Sequence, residues 1–149
     1  MSSQSILYPT FAMFALTFFV LLRMRKKRFA AVRGGQIDGA YYRAFQGEEP
    51  EELRVVTRNF INLFEWPTLF YVVCIMIYVS GQTSAWLVFW AWTYALLRYV
   101  HTFIHLTTNN VVARFGVYFT STMILAVMWG TLLLQLLLSP QIPVTRVAV

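Results

Sequence analysis

An all-α, integral-membrane four-helix bundle is the fold class this sequence predicts, and three observations predict it. The chain has 149 residues, of which 58% are hydrophobic and only 12% charged. A soluble domain carries roughly 25% charged residues. The apolar residues are gathered into runs of bilayer length, about 20 residues for a hydrocarbon core of about 30 Å. The ionisable residues that interrupt those runs sit toward corresponding ends of successive helices. One domain over 1–149 is the natural count at this length.

The first span runs over about 6–22, with Pro9 near its start. A signal peptide has similar hydrophobicity. Here, however, the basic residues follow the apolar run and no small-residue cleavage site comes after it, which reads as a retained helix. Residues 24–50 read as a long polar loop, with Gly34, Gly35 and Gly39 breaking periodicity. Glu48, Glu49, Pro50, Glu51 and Glu52 then mark a helix start, because acidic residues suit the positive end of a helix. The second helix is expected over 51–79, amphipathic at first, wholly apolar from Trp66 and kinked at Pro67.

Ser80 to Ser84 form a short turn, and a third helix over 85–106 opens with Trp86, Trp90 and Trp92 as an interfacial aromatic belt. Thr107 to Asn110 are the next turn. The fourth helix spans 111–138 and stops at Ser139-Pro140, leaving a short, poorly ordered tail with Pro143 and Arg146. Gly116 and Gly130 are candidates for close helix approach. Phe60, Phe64, Phe70 and Tyr71 read as packing or lipid-facing surface. No internal repeat is evident.

The net charge of +6 does not point to nucleic acid, because of where the charge lies. Arg23, Arg25, Lys26, Lys27, Arg28 and Arg33 directly follow the first apolar run, and with Arg43 the first connection carries seven basic residues. The positive-inside rule places that connection and the Thr107–Asn110 turn in the cytoplasm, with both termini on the other side. A bacterial inner membrane is the expected location. Cys74 is the single cysteine and lies mid-helix, so it reads as a small buried apolar residue.

The chemistry concentrates in a polar constellation. Charges at membrane depth cost about 2.5–3.5 kcal/mol each on insertion scales, so they are rare and usually functional. Arg54, Arg58, Asn62 and Glu65 follow the spacing i, i+4, i+8, i+11, which is one face of a helix. Arg98, His101 and His105 share a face at the cytoplasmic end of the third helix. Arg114 opens the fourth, with Tyr118 one turn deeper. Antiparallel packing would bring all of these groups to one depth. Arginines favour carboxylates through forked hydrogen bonds, Glu65 can hold an ammonium group, and Asn62 both donates and accepts. The set suits a zwitterionic, peptide-like ligand, and an arginine aimed at a thiol would favour the reactive thiolate. The competing reading is internal ion pairing of Glu65 with Arg58, Arg98 or Arg114, with Arg114 alternatively snorkelling to headgroups. The His101/His105 pair lacks the cysteine, third histidine or following glutamate that a metal site would need. Hydrogen-bonded packing and substrate binding are its two remaining readings.

R-x-x-x-N-x-x-E followed by proline on the second helix, R-x-x-H-T near the end of the third, four spans and a long first connection together resemble MAPEG. These are the membrane-associated proteins in eicosanoid and glutathione metabolism, and the chain is similar to bacterial-type members and to the microsomal glutathione transferases. The resemblance covers about residues 6–138, and the Arg98-to-Arg114 spacing resembles that of the prostaglandin synthase branch. It implies a homotrimer with glutathione as cosubstrate between subunits. Arg58, Asn62, Glu65, Arg98 and Tyr118 match cofactor-binding positions, and Arg114 matches the arginine proposed to stabilise the thiolate. His105 stands where the eicosanoid enzymes often carry a pocket tyrosine. The implied activity is glutathione transferase or peroxidase chemistry on a lipophilic electrophile. The alternative is a non-catalytic lipid-binding or structural subunit of a larger membrane complex. A transporter is disfavoured without an inverted repeat.

Overall fold

The computed structural model describes residues 2–38, 41–44 and 48–139, leaving the side chains of residues 43 and 44 undescribed. The readings made at Gly39, Pro140, Pro143 and Arg146, the poorly ordered tail among them, lie outside the described residues. After a short 3-10 turn at Ser3–Ile6, the chain forms α1 (Tyr8–Arg33), α2 (Tyr41–Ala44), α3 (Glu51–Asn62), α4 (Trp66–Val79), α5 (Ala85–Leu106) and α6 (Val111–Leu138). The protein is all-helical, with four long helical segments, the second of them broken into α3 and α4.

Helix α1 accepts Pro9 within its first turn, where the missing N–H would have no helical partner anyway. It buries Met13, Leu16, Val20 and Met24 at helical spacing. It does not stop at Leu22 as hydrophobicity alone suggested, so residues 23–33 are helix and not loop. Met, Arg, Lys and Ala are good helix formers, and propensity carries the helix on after the apolar run ends. At 1.5 Å per residue the 26 residues of α1 reach about 39 Å, longer than a hydrocarbon core. The helix ends where Gly35 turns left-handed at φ 68 and Gln36 N–H donates to the Ala31 carbonyl at 2.9 Å. This is a glycine-terminated helix cap.

The connection to α3 is partly structured. Ile37 packs with Ala31 and Leu53, and Tyr41 and Tyr42 of α2 cover them. Glu51 and Glu52 occupy the first turn of α3, and Glu52 pairs with Lys27, tying α3 to α1.

The expected kink at Pro67 is a full interruption over residues 63–65. Proline cannot donate to the carbonyl one turn back and its ring crowds it. In lipid the freed groups need internal partners, and side chains supply them. Thr68 Oγ1 donates to the Phe64 carbonyl at 2.6 Å, and an Arg98 guanidinium nitrogen donates to the Asn62 carbonyl at 3.0 Å. The Leu63 and Phe64 N–H groups tighten back onto Phe60 and Ile61 in 3-10 fashion.

Ser84 caps α5 and Asn110 caps α6, each side-chain oxygen accepting the N–H three residues on. The α5–α6 pair makes the most extensive helix contact. The core gathers Met13, Val20, Phe70, Cys74, Ile77, Leu87, Ala91, Tyr94, Leu125 and Met128, and Phe70 stacks on Tyr94 at 4.4 Å. Large apolar side chains such as Phe11, Phe14, Val112 and Leu137 are exposed around the outside, as a lipid solvent permits. Three segments, Ser3–Arg33, Glu51–Val79 and Val111–Leu138, are long and apolar enough to cross a membrane. Helix α5 is not among them; Arg98, His101, His105 and its Trp and Tyr residues lower its mean hydropathy, and it buries Arg98, His101, Thr102 and His105. Gly116 and Gly130 do not mediate close approach within the chain. A Cβ added at either would meet nothing within 4 Å.

The break generates a test. Thr68→Val keeps the side-chain volume and removes the hydroxyl bond to Phe64, worth about 1 kcal/mol. The thermal midpoint in detergent should fall by about 2–4 °C. An unchanged midpoint would show that the interruption is held without this bond.

Candidate functional site

The polar residues singled out from the sequence separate into two sets. Helix α3 buries Leu53, Val56 and Asn59, and the face opposite carries Arg54 and Arg58, both exposed, with Asn62 half-buried at its end. Glu65, in the break, is also exposed. The spacing placed these residues on one helix face, and that face turns away from the chain's own core. Neither Arg58 nor Glu65 makes an ion pair or side-chain hydrogen bond among the described residues; the ion pair formed there is Lys27–Glu52. Arg58 is still near enough for its charge to reach His105, and Glu65 for its charge to reach Arg98.

The second set points inward. Arg98 is fully buried, at 0% exposure, and His101 and His105 are buried beside it. The Arg98 guanidinium lies 5.9 Å from the Tyr118 ring centroid, within cation–π range. The His101 ring lies 6.1 Å from Tyr118 and 5.8 Å from His105. The guanidinium caps the C-terminal end of α3 through the Asn62 carbonyl, where a cation also meets the negative end of the helix dipole. Its Nε and Nη1, together with Asn59 Nδ2, Tyr94 Oη, and Nδ1 of both histidines, are buried without partners among the described residues.

Arg114 is half-buried in the first turn of α6, beside the turn between α5 and α6. Its Nη1 donates to Asn109 Oδ1 at 2.6 Å and lies 3.1 Å from His105 Nε2. A guanidinium only donates, so His105 presents Nε2 as an acceptor and carries its proton on Nδ1. Asn109 adopts a left-handed conformation, φ 48, which asparagine tolerates better than most residues. The turn therefore clamps one edge of Arg114 and fixes its direction.

Some contributors went unnoticed in the sequence. Asn59 is fully buried, and its Oδ1 accepts from Thr102 at 3.4 Å. The available signal was its helical phase, because Asn59 continues the i, i+3 series of Leu53 and Val56, a polar residue on an apolar stripe. Asn109 read only as part of a turn. Tyr94 was not singled out from the sequence.

A broken apolar helix with an arginine, an amide and a carboxylate beside it, backed by a buried guanidinium, defines a polytopic helical membrane protein with an intramembrane polar site. A family model, that of the MAPEG family, matches residues 6–134, and the chain belongs to that family. Membership supports, at the level of the family, a membrane role in glutathione or eicosanoid metabolism. No curated protein and no solved structure gives a significant match.

Arg98 carries a sharp expectation. A buried charge without a counter-charge is costly, and replacing such groups by well-packed apolar residues is often neutral or stabilising by about 1–4 kcal/mol. Arg98→Met keeps the stem and removes the orphaned nitrogens, so the thermal midpoint should hold or rise although Asn62 loses its cap. A clear fall would show that the guanidinium is compensated in the membrane-embedded protein.

Proposed function

We propose that this protein is a membrane-bound glutathione transferase or peroxidase acting on a lipophilic electrophile, and that it works as a homotrimer. The observation that carries the proposal is the exposed pair Arg58 and Glu65, opposite charges on a segment long and apolar enough to cross a membrane, with no ion-pair partner among the described residues. Lipid would not solvate such a pair cheaply. A neighbouring copy of the chain would cover it and close a cleft lined by both signs of charge.

That donor set fits glutathione, which carries two carboxylates, one ammonium group and a thiol. Arg58 would hold a carboxylate, Glu65 the ammonium group, and Asn62 a peptide group. Arg98 and Tyr118 would lie behind them, with His101 and His105 toward the electrophile. Glutathione supplies the nucleophilic sulfur, so no side chain need become covalently modified. Arg114 would favour the thiolate by placing positive charge beside it. The Asn109 and His105 contacts spend one Nη group and fix the rest of the guanidinium in direction, which is the kind of preorganisation such stabilisation needs. The electrophile would come from the bilayer and the tripeptide from the cytoplasm. Residues 24–50 and the α5–α6 turn would lie on the cytoplasmic side of a bacterial inner membrane, by the distribution of basic residues.

The internal bonds of Arg98 and Arg114 favour a second reading, a non-catalytic lipid-binding or structural subunit of a larger membrane complex, in which both arginines only hold the bundle together.

Calorimetry of glutathione on detergent-purified protein separates the two. Saturable binding is expected for wild type. Arg58→Ala and Arg114→Ala should each weaken it about 10- to 150-fold, for hydrogen bonds to charged groups worth about 1.5–3 kcal/mol. Folded wild-type protein that takes up no glutathione would overturn the enzyme reading.

A further inference from the structure

The basic residues that follow the apolar part of α1 do not all face the same way. Lys27 turns toward α3 and is paired with Glu52. Arg25 and Arg28 instead border a groove of about 580 Å³ on the outer side of α1, lined also by Leu21, Met24, Phe29, Val32 and Tyr42. Arg25 lies over the Phe29 ring at 5.5 Å and Arg28 over the Tyr42 ring at 5.4 Å. Both guanidinium groups thus lie against aromatic faces, and neither forms an ion pair among the described residues. Arg28 Nε is buried without a partner among the described residues.

Depth gives the groove its meaning. Helix α1 begins at Tyr8, and a hydrocarbon core of about 30 Å is crossed in about 20 residues. Arg25 and Arg28 therefore fall where the acyl region gives way to headgroups. Leu21 and Met24 lie on the membrane side of the two arginines. Two cations at headgroup depth above an apolar floor match one kind of partner, an amphiphile with a phosphate of net negative charge and a chain below it. Each basic residue at this level adds electrostatic attraction to anionic lipid, and arginine bonds phosphate through forked geometry.

We infer that the groove formed by Arg25, Arg28, Phe29 and Tyr42 is a specific headgroup site for an anionic phospholipid, separate from the polar site of α3, α5 and α6. The phosphate sits between the two guanidinium groups, and one acyl chain runs down past Leu21. Bound lipid at this point joins α1 to α2 beside the apolar cluster of Ala31, Ile37 and Leu53. An anionic membrane would thus stabilise the connection between the first two spans.

The test is native mass spectrometry of the full chain released from mixed micelles holding equal phosphatidylglycerol and phosphatidylcholine. Wild type is expected to retain phosphatidylglycerol about tenfold over phosphatidylcholine. R25Q/R28Q should lose that preference, and R28Q alone should lose part of it. K26Q/R33Q makes the same change in net charge outside the groove and should keep the preference. Retention should survive excess inorganic phosphate at matched ionic strength, since a free anion lacks the chain. Equal retention of both lipids by wild type, equal loss in the two double variants, or displacement by phosphate would each overturn the site. Circular dichroism confirms that the variants are folded.

Discussion

The carbonyl of Asn62 has to find a donor inside a membrane, and much of the structure follows from how it does. Pro67 forbids one continuous helix from Glu51 to Val79, and a bilayer offers no water to the groups this frees. Arg98 reaches across from α5 to supply the bond. That contact ties α5 to the end of α3 and accompanies a full positive charge in the core. Thr68 closes the other side of the gap from within α4. The break is thus built into the packing and is not a passive bend.

Stability and function pull against each other at this point. The inner face of α5 buries an arginine and two histidines with several polar atoms unpartnered. An apolar face of the same shape would pack at lower cost. Sequences depart from local rules of this kind mainly where a site requires it. The exposed charges on α3 and in the break tell the same story from outside, since Arg58 and Glu65 form no ion pair among the described residues.

The connection after α1 shows a different physical logic. Its basic residues were read as a topology signal on a loop, yet they stand on a helix that projects past the apolar core. A helix gives those charges fixed directions. One turns inward to an acid on α3, and two turn outward over aromatic rings. A flexible loop would have averaged these roles.

The sequence by itself determined the fold class. Run length, charge distribution and the motif Arg58, Asn62, Glu65 are local or periodic properties, and solvation by lipid makes them decisive. Ser84 and Asn110, read only as the last residues of turns, cap α5 and α6 through local bonds that need no tertiary context. Helix ends were less legible, as the 11 residues from Arg23 to Arg33 show, six of them basic, because helix propensity outlasts hydrophobicity. Tertiary structure alone decided which way each polar face points. Periodicity says that residues share a face, but it cannot say whether that face meets the core or the outside. So Arg58 and Glu65 turned outward, Arg98 turned inward onto a carbonyl, and Asn59 and Asn109 acquired partners. The partners of Arg98 and Asn59 lie across contacts between residues 36 and 43 positions apart, which no local pattern in the chain encodes.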